Sequence, residues 1–200
     1  MNRGSLGCLL ELLETLLVTV LVFVVIQFFV AQPYEVQQES MENTLLPGQY
    51  VLVDKLTPRF DPYHAGDVIV FNPPVGWSRD ASGTPYIKRV IGVAGDTVAI
   101  HDGRLFVNCT RVIEPYVFGG QETLVQSGAT ATWTLKSGQL FVLGDHRQAS
   151  QDSRVFGPIE TSSVIGRVWV RYWPLGQFGP LPQAEPSASP GAPFPSPSRA

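Results

Sequence analysis

Residues 97–107 read TVAIHDGRLFV. Apolar and β-branched residues flank Asp102-Gly103 on both sides, and an Asp-Gly pair supplies the positive φ that a two-residue hairpin turn requires. Outward from this hairpin the same pattern recurs. Tyr50–Val53, Asp67–Phe71, Tyr86–Val93, Thr97–His101, Arg104–Val107, Ala131–Leu135, Gln139–Leu143 and Val164–Trp173 are short β-branched or aromatic segments. Pro47-Gly48, Asn72-Pro73-Pro74, Gly95-Asp96, Gly119-Gly120, Ser137-Gly138 and Gly157-Pro158 punctuate them. No long segment of helical period lies among them. Residues 35–175 therefore predict a mainly β domain, an antiparallel sandwich or barrel-like sheet.

Upstream lies a different physical object. Residues 15–34, TLLVTVLVFVVIQFFVAQPY, carry no charge and are apolar on every helical face. Twenty helical residues rise about 30 Å, the hydrocarbon thickness of a bilayer. A domain this small could hardly bury such a helix all round. Phe29-Val30-Ala31 lacks the small residue a cleaved signal needs two positions before its cut, so an uncleaved transmembrane anchor is expected. Residues 1–14 form a short segment before it, and Arg3 with the amino terminus favours placing them in the cytoplasm. The expected location is the plasma membrane, single-pass, with the β domain on the extracytoplasmic side.

Composition excludes several classes. A net charge of -3 with no basic stripe gives a nucleic-acid partner no electrostatic support. Cys8 and Cys109 flank the apolar run and form neither a disulfide framework nor a CxxC pair. His64, His101 and His146 lack ligand spacing, so no metal and no cofactor is expected. Asn108-Cys109-Thr110 matches a short, common glycosylation pattern that carries little weight. The last twenty-one residues hold seven prolines, and residues 176–200 read as a Pro-rich disordered tail.

Three segments could carry chemistry. Ser40 lies in EVQQESMENTLLPGQYVLVDKL, residues 35–56, directly after the apolar run. A serine needs a base, and no GxSxG or histidine motif supplies one. A lysine can serve if desolvation keeps it neutral. Lys88, within PYIKRVIGVAG, is the most apolar-flanked lysine; Lys55 and Lys136 lie beside turns. Strand alternation equally permits Lys88 to face outward, and Arg89 then faces the other way. The third segment, residues 143–158, reads LGDHRQASQDSRVFGP. Its Asp145, Arg147, Ser150, Asp152, Ser153 and Arg154 could satisfy one another as a network, or form a solvated loop.

Together these segments resemble bacterial-type signal peptidase I, a membrane-bound serine protease that removes secretory signal peptides. The resemblance rests on four ordered motifs: Ser40-Met41-Glu42-Asn43-Thr44-Leu45, Gly66-Asp67-Val68-Ile69-Val70, the Tyr86–Asp96 block and the Gly144–Arg154 block. It implies Ser40 as nucleophile, Lys88 as general base and the Ser40 N–H in the oxyanion hole. It also implies Ser150 close to the lysine amine, an Asp152–Arg154 salt bridge, and Asp145 and Arg147 bracing the same loop. Tyr34, Val36, Met41, Leu45, Tyr86 and Ile87 would wall shallow subsites for small residues at −3 and −1. The extended substrate would pair with backbone near Gln37–Glu39 and Pro85–Ile87.

The implied partners are secretory preproteins and membrane lipid, and a monomer is expected. Departures from the family pattern are Asn43 for proline, which loosens the turn, and His146 for asparagine, which retunes the bracing network. At Gln38 some members carry a hydroxyl that completes the oxyanion hole. Two competing readings are a self-cleaving Ser/Lys peptidase and a catalytically silent anchored β domain that binds a partner.

Overall fold

The computed structural model describes residues 3–74, 76–77, 83–125, 131–181 and 187–188. Helix α1 (Arg3–Val25) continues through a π-turn over Ile26–Val30. Within it Leu10–Val30 has mean hydropathy 2.5 with no part buried, long and apolar enough to cross a bilayer. The helix stops earlier than expected. Ala31–Glu35 is strand β1, paired antiparallel to β2 (Tyr50–Asp54) with Tyr34 opposite Val51. The last four residues of the expected 15–34 span thus belong to the sheet, because Pro33 has no N–H for a helix and strand pairing satisfies its neighbours.

The following strands are β3 (Val68–Phe71), β4 (Tyr86–Gly92), β5 (Thr97–His101), β6 (Arg104–Val107), β7 (Thr110–Ile113), β8 (Thr132–Thr134) and β9 (Gln139–Leu143). A single turn of helix, α2 (Ser153–Phe156), precedes β10 (Ile159–Glu160), β11 (Val164–Trp173), β12 (Gly179–Pro180) and β13 (Ser187–Ala188). The larger sheet runs β1-β2-β11-β3-β4-β9-β10, with β12 on β11; the smaller runs β13-β7-β6-β5-β8. All recorded pairings are antiparallel. The mainly β expectation holds, as a curled open sheet with a second sheet appended.

The Asp102-Gly103 hairpin forms with His101 opposite Arg104, and both turn residues take positive φ, 48° and 70°. The next turn repeats the device with Asn108 (φ 50°) and Cys109 (φ 64°), producing β7, which the sequence pattern did not flag. Asn108 accepts from Thr97 N and donates to Asp96 Oδ1, so its amide is committed to the turn.

The tail begins later than expected. Gly179 and Pro180 pair with Arg171 and Val170, and Leu181 is buried in an apolar core with Val36, Met41, Leu45 and Val168. Gln177 meets the buried Gln49 amide. Residues 176–181 therefore belong to the domain: leucine burial offsets the ordering of a short segment. Residues 182–186 and 189–200 of the expected tail lie outside the described residues.

Candidate active site

A single 3-10 turn, Glu39–Met41, carries Ser40. Met41 is buried beneath it and the Ser40 carbonyl accepts from His146 N at 3.0 Å, so the turn is fixed from two sides. Ser40 itself is buried at 4 % exposure. Lys88, at the centre of β4, reaches it: Nζ lies 2.6 Å from Ser40 Oγ and 3.1 Å from the Ile87 carbonyl. Lys88 is 1 % exposed. Burial pulls its pKa from 10.5 down to about 8, partly countered by Asp152 and Asp145. Of the two orientations strand alternation allows, the inward one is adopted.

Arg89 is equally buried and points away from Ser40. Its Nε and Nη2 lie 2.9 Å and 2.7 Å from the two Asp145 oxygens, a bidentate pair. Nη1 donates to the Gly66 carbonyl, Thr44 Oγ1 donates to Asp145, and the Tyr116 ring covers the guanidinium at 4.1 Å. Burial and the neighbouring Glu114 carboxylate both push the Tyr116 hydroxyl pKa up.

Asp145 and Arg147, expected to brace the same loop, do so through partners from elsewhere in the chain and not through each other. Asp145 serves Arg89, and Arg147 pairs with Glu114, its Nη2 2.5 Å from Oε1, while also contacting Thr123 Oγ1. Both loop residues are buried charges whose partners come from other parts of the chain, which no local motif shows. Arg89, Thr44, Glu114 and Tyr116 are the residues that motif reading missed. The one available clue was the two adjacent cations on a single strand.

Asp152 and Arg154 do pair, at 2.8 Å and 2.9 Å. Asp152 also caps α2 through Arg154 N and accepts from Gly144 N. Arg154 Nη2 ties back to the Arg147 carbonyl. Ser150 Oγ is buried without a hydrogen-bond partner. It sits against Gly144, where a Cβ would fall 2.3 Å from Ser150 Oγ and 2.5 Å from the Ser40 carbonyl. Any larger residue at 144 would drive these apart.

A cleft of about 20 Å³ opens beside Ser40, lined by Val36, Gln38, Met41, Thr84, Pro85 and Ile87 among others. It is narrow and mostly apolar. Val36, Met41 and Ile87 are among its apolar walls. Leu45 is fully buried and has no face toward the cleft. Tyr86 packs edge-on to Phe71, with its ring centroid 5.3 Å from Lys88 Nζ. Tyr34 packs from β1 against the core that includes Met41 and does not line the cleft. Leu45, in the loop after the Ser40 turn, is part of the core, and the partly buried Tyr34 and Tyr86 pack against it from β1 and β4. Gln38 is exposed and extended at the cleft edge.

Asn43 takes φ 84°, which proline cannot adopt, and donates to the Tyr116 carbonyl at 3.0 Å. The turn is held by side chains where a looser one was expected. A larger cavity, about 560 Å³, lies at the end of the apolar helix between Val30 and Leu181. Its Asp67 and Arg167 are already paired with each other at 3.1 Å, and it contains neither Ser40 nor Lys88. Among the described residues no cluster of His, Cys, Asp or Glu could hold a metal.

Comparison with known proteins follows the same line. The family model described as signal peptidase, peptidase S26, matches residues 9–173. Signal peptidase I of Bacillus caldolyticus is 36 % identical over 170 residues, covering 80 % of this chain and 90 % of that protein. Signal peptidase I of Leptolyngbya laminosa is 34 % identical over 182 residues, covering 87 % and 86 %. A crystal structure of a signal peptidase I from Enterococcus faecalis aligns with TM-score 0.42 at 32 % identity, over 54 % of this chain and 97 % of that one. With a family match over most of its length and relatives above 30 % identity across nearly their whole sequences, the chain belongs to the signal peptidase family, peptidase S26.

Proposed function

We propose that this protein removes N-terminal signal peptides from secretory preproteins, with Ser40 as nucleophile and Lys88 as general base. The observation that carries the reading is the 2.6 Å contact between Lys88 Nζ and Ser40 Oγ inside a water-poor site. A lysine held near pKa 8 is neutral in a useful fraction at physiological pH, and a neutral amine can accept the Ser40 proton.

Oγ attacks the carbonyl of the residue at −1 and its proton passes to Nζ. Collapse of the tetrahedral intermediate breaks the C–N bond, and Nζ–H₃⁺ returns a proton to the leaving amine of the mature protein. Water then attacks the Ser40 ester as Lys88 takes its proton, the acyl C–Oγ bond breaks with Lys88 returning that proton to Ser40 Oγ, and the signal peptide leaves as a carboxylate, its acid proton passing to solvent. The Ser40 N–H is the expected oxyanion donor, with the exposed Gln38 amide able to swing beside it. Val36, Met41 and Ile87 leave room only for small side chains, which supports small residues at −1 and −3.

Residues 10–30 would span the plasma membrane once and hold the β domain, as a monomer, on the extracytoplasmic face. Enzyme and substrate then share one surface, which raises their effective concentration. The direct test is cleavage of a preprotein whose signal ends Ala-x-Ala by detergent-solubilised protein, beside Ser40→Ala. Loss of cleavage after the second alanine in Ser40→Ala is the expected result; cleavage that persists would assign a different nucleophile.

A further inference from the structure

We propose that His146 is a positioning residue for Ser40, acting through Glu42. This rests on the Ser40/Lys88 reading above. The nucleophile sits on one short turn and its carbonyl is gripped by the His146 N–H of the facing loop. The side chains of the same two segments meet as well. His146 Nδ1 lies 2.8 Å from Glu42 Oε2, two residues beyond Ser40. The contact is close but not aligned as a hydrogen bond, since Nδ1 is buried without a hydrogen-bond partner. The two groups are 16 % and 22 % exposed, so water screens the contact only in part.

The imidazole cannot drift. Phe118 stacks on it at 4.5 Å and 30°, and the Phe118 N–H donates to the Asp145 carbonyl next to His146. Beside it Asn43 donates to the Tyr116 carbonyl. Residues 116–118 therefore brace both partners of the contact. Because Asn43 adopts a left-handed φ that proline cannot take, the turn after Ser40 has no ring to stiffen it. Side-chain ties from Glu42 and Asn43 do that work. A 2.6 Å nucleophile–base contact is sensitive to displacements well under 1 Å, so loss of such a tie acts on the chemical step.

The test uses the full chain in detergent and an Ala-x-Ala preprotein, with kcat, KM and Tm measured together. His146→Phe keeps the stack on Phe118 and removes Nδ1; Glu42→Gln removes the charge. Each should lower kcat by about three- to tenfold with KM within about twofold, and the double variant should be no slower than the worse single. His146→Asn, which retains a polar donor, should recover part of the loss. Singles indistinguishable from wild type, or effects that multiply in the double, would overturn the proposal. So would a loss confined to Tm or KM. A wild-type enzyme that cuts nothing, or a Ser40→Ala that still cuts, would instead remove the dyad reading and this proposal with it.

Discussion

Lys88 and Arg89 are neighbours on one strand, buried to 1 % and 0 % exposure, and the fold treats them in opposite ways. Arg89 receives a carboxylate, a carbonyl, a hydroxyl and an aromatic face. Lys88 receives one hydroxyl, one carbonyl and the Tyr86 ring at 5.3 Å, and Asp152 and Asp145 act on it only through space. A guanidinium cannot shed its proton, so burying it demands full compensation. An ammonium can, so a poorly furnished site makes it a base. On the proposed dyad reading, one β-strand holds a structural cation and a chemical one side by side.

The largest effect should come from removing the chemical one. Lys88→Met should lower kcat by about 10⁴-fold or more. The same change should raise stability. Folding depresses the lysine pKa from 10.5 to about 8, so the unfolded chain binds more protons between those values and stability rises with pH across that window. Below about 8 the native state carries a handicap of about 3 kcal/mol. Met removes it and forfeits two hydrogen bonds, so Tm at pH 7 should rise by about 2–4 °C. An inactive variant less stable than wild type would break the contrast.

Arg89→Met should do the reverse. It leaves Asp145 buried and uncompensated, at a cost of about 3–5 kcal/mol in chemical or thermal unfolding. Replacing both, as Arg89→Met with Asp145→Leu, should recover much of that loss. If the single variant is as stable as wild type, the two cations are not treated differently.

The contrast should also appear in the pH–rate profile. With a base near 8, kcat/KM should climb about tenfold per pH unit below that value and level off above it, about 100-fold lower at pH 6 than on the plateau. A flat acid limb would mean that the lysine is not the base.

How much of this was legible in the sequence depends on the range of the interaction. The hairpin at Asp102-Gly103 and most strands follow from local pattern, because turn chemistry and alternation act over two to five residues. Strand β1 was hidden inside an apolar run, since Ala31–Tyr34 have no charge to mark where the helix ends. Ser40 and Lys88 were reachable through motif resemblance, but spacing alone left Lys88 free to face either way. Partners of the buried charges were not legible: Arg89 finds Asp145 across 56 residues and Arg147 finds Glu114 across 33. Adjacency to Ser40 and Lys88 does not reveal that Leu45 belongs to the core or that the half-buried Tyr34 and Tyr86 pack against it.

Ser150 offers the finest probe of how sparse the lysine site is. Its hydroxyl is buried and unpartnered, hemmed in by Gly144, whose other close neighbour is the Ser40 carbonyl. A buried unpaired hydroxyl is a cost to the fold, so Ser150→Ala should leave Tm unchanged or slightly higher. Such a group next to a reaction centre has a use if it gains a partner during the cycle. When Ser40 Oγ becomes an ester it no longer offers Lys88 a proton, and a hydroxyl able to turn toward Nζ would hold the amine for deacylation. On that account Ser150→Ala should slow turnover by about tenfold with no loss of stability, the gap widening in single-turnover deacylation. If kcat is unchanged, Lys88 works with the partners it already has, and the contrast with Arg89 is complete.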